Sequence, residues 1–262
     1  MSSSTCCIER IQPTLSGAEE MQLIKHGDLL RSSDMELIGR MLSLDGSRLL
    51  ELGCGAALTT RLIAEGFPVA GIVAAEVDEI QHAKNLAIDD LHNVEFKLAG
   101  MQAIPEPDAS FDAVVMLKSL HHVSVDRMAQ GFAEIHRVLK AGGLVYISEP
   151  VYAGEFNEIL RLFHDEQQVR QAAFDAVKDA VDSGRFELVE EIHFLSESRF
   201  QGFAEFEHRI LGATHSEFQI DASLHAEIKR RFESHLDADG IAVFMNPTRV
   251  DLLRKAERLG PT

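Results

Sequence analysis

The sequence predicts an α/β protein: a doubly wound, mostly parallel seven-stranded sheet with helices on both faces and a helical cap. Three observations carry that prediction. Short, continuously apolar runs alternate with helical patterns of about a dozen residues, as parallel strands buried on both faces require. The run Leu49–Leu52 gives way at once to Gly53-Cys54-Gly55 and then to a helical pattern. Beyond Pro150 the alternation stops and helical spacing takes over.

Residues 1–15 show no periodicity. From Ser16 to Leu44 apolar residues recur at helical spacing, through Leu29, Leu30, Leu37, Ile38, Met41 and Leu42, until Asp45-Gly46 makes a turn. Arg48 opens the first strand. Val69 to Ala75 reads as a second, buried strand ending at Glu76-Val77-Asp78, with helical spacing from Ile80 to Leu91 and a short third strand from Val94 to Leu98. Pro105, Pro107 and Asp108 mark a loop before the fourth strand, Phe111 to Leu117. Met128 to Leu139 is an amphipathic helix stopped by Ala141-Gly142-Gly143. Leu144 to Ile147 is the fifth strand, ending at Ser148-Glu149-Pro150.

Glu155 to Val181 then reads as one long helix and Phe186 to Phe194 as a sixth strand. Ser198 with Gln201 three residues on makes a capping box for a helix from Phe200 to Leu211. Leu224, Ile228, Phe232 and Leu236 mark another helix. The last segment has two readings, Asn246-Pro247 as a helix cap or Arg249 to Lys255 as an edge strand. The expected organisation is an N-terminal helical cap segment over residues 1–45, an α/β core over 46–152, and cap helices with the last strands over 153–262.

Composition narrows the function. The chain has 262 residues, of which 25 are Lys or Arg and 42 are Asp or Glu, a net charge of −17 with no basic stripe. A nucleic-acid binder needs a cationic footprint to displace counterions, so DNA and RNA are disfavoured, and an anionic membrane surface with them. Lys229-Arg230-Arg231 lies inside a helical pattern and reads as a solvated face. No apolar run approaches the ~20 residues that cross a bilayer. The start, Met1 to Cys7, lacks the features of an export signal, and three cysteines, two of them adjacent, make no disulfide framework. A cytoplasmic location is the expectation.

The glycine turn narrows it further. A strand that ends in glycines and turns into a helix lets a ligand approach bare backbone. Glu51 stands two residues before Gly53, where a carboxylate would repel a pyrophosphate. The expected ligand therefore carries positive charge or offers hydroxyls and an ammonium group.

From Ser47 to Pro150 the order of motifs resembles that of the class I S-adenosylmethionine-dependent methyltransferases. The motifs are Glu51-x-Gly53-x-Gly55, the acid Glu76 at the end of the second strand, and Ala99-Gly100-Met101-Gln102. They continue with Phe111-Asp112-Ala113-Val114-Val115, Leu120-His121-His122-Val123 beyond it, and Val138-Leu139-Lys140-Ala141-Gly142-Gly143. The resemblance covers roughly Ser47 to Pro150 and is not traced into residues 151–262. The resemblance implies a Rossmann-like sheet, S-adenosyl-L-methionine as cofactor, and in-line methyl transfer to a small-molecule acceptor, with room for a homodimer.

The resemblance also implies roles. Glu51 would address the methionine ammonium, and Gly53, Cys54 and Gly55 the methionine moiety. Glu76, with Val77 beside it, would take the ribose hydroxyls; it is preferred to Asp78 because it follows the apolar strand directly. Gly100, Met101 and Gln102 would border the adenine, with Leu117 at the same cleft. Many members carry an Asp where Met101 stands, and Met can pack on the ring.

His121, His122 and Glu149 are the catalytic candidates, since a hydroxyl or carbon acceptor needs a proton removed while a thiolate or amine hardly does. A histidine after a strand is equally a backbone-bonded one, and strand alternation suggests that one of the pair faces the pocket. Cys54 reads as a packed residue. Tyr152 and Arg31 are further candidates, for the acceptor and for the cofactor carboxylate. The remaining histidines, including His164, His208 and His225, lack His-x-x-x-His or Cys partners, so no metal is expected. Phe156, Phe163, Phe200, Phe203 and Phe232 read as cap core, with an apolar substrate pocket as the alternative.

Two rival functions stand beside this one. A nicotinamide-dependent dehydrogenase fails at Leu58, where its third glycine belongs. A cofactor-binding regulator without methyl transfer is encouraged by Met101 alone.

Overall fold

The computed structural model describes residues 21–25, 27–212 and 218–257. Cys6, Cys7 and the start of the expected N-terminal helix lie outside them.

The chain runs β1 (Leu30–Arg31), α1 (Asp34–Met41), β2 (Arg48–Leu52), α2 (Leu58–Gly66), β3 (Gly71–Glu76), α3 (Glu79–Asn85), β4 (Val94–Leu98) and β5 (Phe111–Leu117). A one-turn 3-10 helix, Leu120–His122, leads into α4 (Val125–Val138) and β6 (Leu139–Pro150). There follow α5 (Glu155–Leu160), α6 (Gln167–Asp182), β7 (Phe186–Phe200), α7 (Phe203–Phe206) with a π-turn at Glu207–Leu211, α8 (Ala222–Glu233) and β8 (Ala242–Lys255).

The eight strands form one sheet in the order β1-β7-β8-β6-β5-β2-β3-β4, parallel except for β8. Period-two alternation sorts each strand between two cores. Leu50, Val73, Val114, Val145 and Leu253 pack on one face under α4 and α6. Leu49, Ile72, Val115, Tyr146 and Leu252 pack on the other, with Leu37 and Ile38 of α1 and Ile63 of α2. Burial on both faces is why these strands read as unbroken apolar runs. Beyond the sheet, β7 and β8 run on together and carry a third core of Ile159, Phe200, Phe206, Ile228, Phe232 and Phe244 with α5, α7 and α8.

The structure departs from the sequence reading in five places. The sheet has eight strands, because Leu30 and Arg31, read as helical, pair with Phe194 and Leu195 as a short edge strand. Ser33 then caps α1 in a full capping box with Glu36. The expected long helix 155–181 is broken at residues 161–166, between α5 and α6. Ser198 caps nothing: it lies in β7 and accepts from Asn246 Nδ2 at 2.8 Å, and α7 starts at Gly202 without a side-chain cap. The C-terminal segment is a strand and not an edge one. β8 sits between β7 and β6, its Leu144↔Arg254 to Pro150↔Thr248 register closing the sheet antiparallel. Among the described residues no helix is long and apolar enough to cross a membrane.

Candidate active site

The carboxyl ends of β2, β3, β5 and β6 meet at one rim, the place where an open α/β sheet exposes backbone to a ligand. At the end of β2 the chain leaves through Gly53 (φ +77°), Cys54, Gly55 (φ +52°) and Ala57 (φ +58°). Gly53 N and Cys54 N both donate to Ala75 O, at 2.9 and 3.0 Å, which ties the turn to β3. A Cβ on Gly55 would meet nothing within 4 Å, so the turn faces open space there.

Two buried carboxylates flank that space. Glu51, 2% exposed, accepts from Thr60 Oγ1 at 2.6 Å. Burial pushes its carboxyl up to about 7, against the Thr60 hydrogen bond and helped by the charge of Glu76. Glu76 accepts from Gly55 N at 2.7 Å on one oxygen and from Val77 N and Asp78 N at 2.8 and 3.0 Å on the other. Among the described residues neither acid has a basic side chain in ion-pair range. Two buried carboxylates without a counter-charge fit a cationic ligand rich in hydroxyls. Two acceptors of this kind fit the ammonium and ribose hydroxyls of S-adenosyl-L-methionine.

Other candidates fall into place around them. Asp78 caps α3, its Oδ1 accepting from Ile80 N and Gln81 N at 2.8 and 3.2 Å. Cys54 is buried, and burial drives its thiol pKa upward, which suits a packed residue. Asn85 of α3 donates to Gly55 O at 2.7 Å and lies against Cys54 Sγ at 3.5 Å. Val77 is exposed beside Glu76, Leu117 ends β5 half-buried, and the Gln102 side chain folds over Gly100. Met101 turns away. Its side chain is 2% exposed in the core beneath α4, packed against Gly131 so closely that a Cβ there would lie 2.2 Å from Met101 Cε. The Met side chain therefore does not lie on an adenine face. Arg31 sits on the edge strand β1, with four strands between it and β2.

The 3-10 turn after β5 joins this cleft to a second space. Ser119 Oγ donates to Leu52 O at 2.8 Å on the cleft side. Glu149, 3% exposed near the end of β6, accepts from Ser119 N and Leu120 N at 3.1 and 2.8 Å and from His121 Nδ1. His121 Nε2 points the other way, to Glu166 Oε1 at 3.5 Å. Burial alone would lower the His121 pKa; the hydrogen bonds and charges of Glu149 and Glu166 override it and hold the ring at about 9. Glu166, despite burial, is held down at about 2 by His121 and Arg170. Arg170 bonds Glu166 Oε2 at 2.6 Å, Val151 O at 3.1 Å and Asn157 Oδ1 at 3.0 Å. His164 Nε2 lies 3.0 Å from Glu166 Oε1.

This cluster forms the polar wall of a cavity of about 280 Å³ between the turn, the α5–α6 break and the outer stretches of β7 and β8. Phe156, Leu160, Ile210 and Phe218 give it an apolar side; Ser196, Ser198, Asn246 and Thr248 give it hydroxyl and amide groups. His121 and His122 both line it, because they sit on a helical turn, their rings 4.0 Å apart, and not on an alternating strand. Tyr152 does not line it. Of the phenylalanines, Phe200 and Phe232 are cap core, while Phe156 packs on that core and also faces the cavity.

Sequence reasoning missed Glu166 and Arg170 and set His164 aside. The apolar spacing that made residues 155–181 look like one helix runs straight through the break that carries His164 and Glu166 and starts the new helix of Arg170. Thr60, Asn85 and Ser119 were missed too, the first two being polar residues whose burial, and the last one whose hydrogen bond to Leu52 O, becomes visible only in the folded chain.

The chain matches the family model described as a methyltransferase domain over residues 49–143. It is 30% identical over 164 residues to the O-methyltransferase rstn1 of Aspergillus nomiae, covering 59% of this chain and 71% of that protein. It is 36% identical over 110 residues to the 27-O-demethylrifamycin SV methyltransferase of Amycolatopsis mediterranei, covering 40% of this chain and 39% of that protein. The YcgJ protein of Bacillus subtilis shares the fold, with a TM-score of 0.56 at 18% identity over 86% of this chain and 98% of that one.

Proposed function

The chain belongs to the class I S-adenosylmethionine-dependent methyltransferases, and from that premise we propose that it methylates a small molecule seated in the cavity beside His121. The observation that carries the reading is the 3-10 turn. Ser119 touches the strand end that carries the glycines, while His121 and His122 line the cavity, so one turn separates donor cleft from acceptor space.

S-adenosyl-L-methionine supplies a methyl group on a sulfonium, already a good leaving group, so the protein's task is alignment and exclusion of water. Glu51 holds the ammonium, the open backbone at Gly55 admits the methionine moiety, and Glu76 takes the ribose hydroxyls. Glu149 grips His121 from behind and makes no approach to the cavity itself, so its role is to position the ring. Helix α5, the start of α6 and the π-turn after α7 cover the acceptor. The apolar side of the cavity suits the body of an organic acceptor and the polar wall its reacting group. Two relatives named for O-methyl chemistry support a hydroxyl there.

Calorimetric titration with S-adenosylmethionine, S-adenosylhomocysteine and NADH tests the first half: the two adenosyl ligands bind and NADH does not. A screen of phenols, alcohols, acids and amines with methyl-labelled donor tests the second. Tight donor binding with no product from any class would reverse the conclusion.

A further inference from the structure

His121, His122 and Glu166 each offer one ligand atom, and the three atoms lie within 4.8 Å of one another at the cavity wall. We propose that they hold a divalent transition-metal ion, with His164 as an added donor, and that the ion binds and acidifies a hydroxyl of the acceptor. The second half rests on the reading of this cavity as the acceptor's place.

Spacing supports the site. Two donors at about 2.0–2.2 Å from one ion stand roughly 3–3.5 Å apart. His121 Nε2 is 3.5 Å from Glu166 Oε1, and His164 Nε2 is 3.0 Å from the same oxygen, so little movement would bring them onto one ion.

The groups behind the donors support it as well. Glu149 accepts from His121 Nδ1, so the ring keeps its Nδ1 proton and the one an ion replaces is on Nε2, and Glu149 is itself pinned by two backbone amides. Arg170 occupies Glu166 Oε2 and leaves Oε1 facing the histidines. A carboxylate behind the histidine and a guanidinium behind the carboxylate aim both donor atoms at one point.

Charge completes the case. Glu149, Glu166, Arg170 and the His121 imidazolium sum to zero. A divalent ion on Nε2 sends that ring proton to solvent and brings the cluster to +1, which leaves one positive charge for an acceptor oxygen that has lost its own proton. A hydroxyl bound to the ion releases that proton to solvent through the open cavity; the oxygen stays as an anion on the ion, and nothing is oxidised or reduced. Imidazole nitrogens with a single carboxylate suit Zn²⁺, Fe²⁺, Co²⁺ or Ni²⁺, and not Mg²⁺, which prefers oxygen donors.

The test uses the full chain stripped with a chelator, titrated with Zn²⁺ by calorimetry and with Co²⁺ by visible absorption. One equivalent of each binds, the Co²⁺ form shows ligand-field bands of a nitrogen and oxygen site, and excess Mg²⁺ does not displace it. His121→Ala and Glu166→Gln weaken Co²⁺ binding at least a hundredfold, and Glu149→Gln by about 10–100-fold although it touches no ion. His122→Ala, at an exposed position, also weakens it while leaving S-adenosylmethionine affinity unchanged. The idea fails if the wild-type chain takes up no Co²⁺, if uptake survives both histidine variants, or if a thiolate charge-transfer band puts the ion on cysteine. The methyltransfer reading fails separately, by absence of S-adenosylmethionine binding in the chelated protein.

Discussion

Gly53 and Ser119 meet back to back: a Cβ on Gly53 would stand 2.5 Å from Ser119 Cβ. The glycine at 53 is thus required by packing inside the protein and by its φ of +77°, while Gly55, at φ +52°, borders open space. The two glycines therefore separate fold from ligand. Gly53→Ala is expected to lower stability by about 2 kcal/mol or more, from left-handed strain plus the clash. Gly55→Ala should cost about 1 kcal/mol for the backbone alone and weaken S-adenosylmethionine binding tenfold or more. Urea unfolding and calorimetry check both. Wild-type affinity in Gly55→Ala would remove that stretch of backbone from the cofactor site.

Glu76 and Asp78 sit two residues apart at the end of β3 and do different work. Asp78 is spent on capping α3, so Asp78→Ala should cost about 1 kcal/mol of stability and leave cofactor affinity alone. Glu76→Gln keeps the shape but gives up the charge against three backbone amides, and its cofactor affinity should fall at least tenfold. Reversal of these two results would transfer the ribose role to Asp78.

Glu51 makes stability and binding pull against each other. Its folded pKa of about 7 lies above the ordinary 4.5, so the folded chain holds the proton more tightly than the unfolded one. Below about pH 4 both states are protonated and the burial costs nothing. As pH rises toward 7 the unfolded chain ionises first and stability falls, levelling off above 7 at a loss on the order of 3 kcal/mol. Glu51→Gln should therefore be more stable than wild type at pH 8, with the gain fading by pH 4–5, and should bind S-adenosylmethionine more weakly. Denaturant unfolding at pH 5 and 8 reads the first effect; an equal gain at both pH values would exclude ionisation as the cause.

The half of the fold that builds the donor cleft was legible because its strands are buried on both faces and read as apolar runs. From Arg48 to Leu117 each strand starts and ends within two residues of the expected place. The acceptor half was not. Glu166 reaches His121 across 45 positions of sequence, and the break that presents it carries no glycine or proline to announce it. Pro247, which suggested a helix cap, instead sits inside β8 opposite Leu195. Met101 shows the same limit on a smaller scale: its place in the motif was plain, but its direction depends on the space left by Gly131 on another element.

Arg249 and Asp251 of β8 offer a test beside the site but outside its hydrogen bonds. Arg249 is 2% and Asp251 0% exposed, and they share a 2.9 Å hydrogen bond while Arg249 Nη2 and Asp251 Oδ1 have no protein partner. Burial pushes the Asp251 carboxyl up to about 6, against the attraction of Arg249. Removing one partner strands the other charge, so Arg249→Met alone should cost about 3–5 kcal/mol. The Arg249→Met, Asp251→Leu double variant removes both desolvation costs and lets the Met stem lie on the Phe174 ring that Arg249 now covers. It should match wild-type stability or exceed it by about 1–4 kcal/mol. Arg249 is the cross-strand neighbour of Glu149 in the β6–β8 register, yet the Glu149 carboxylate is held by Ser119, Leu120 and His121. Donor affinity of the double variant should therefore stay at the wild-type value. A fall in affinity with stability intact would mean that the charge of Arg249 reaches the site through the sheet.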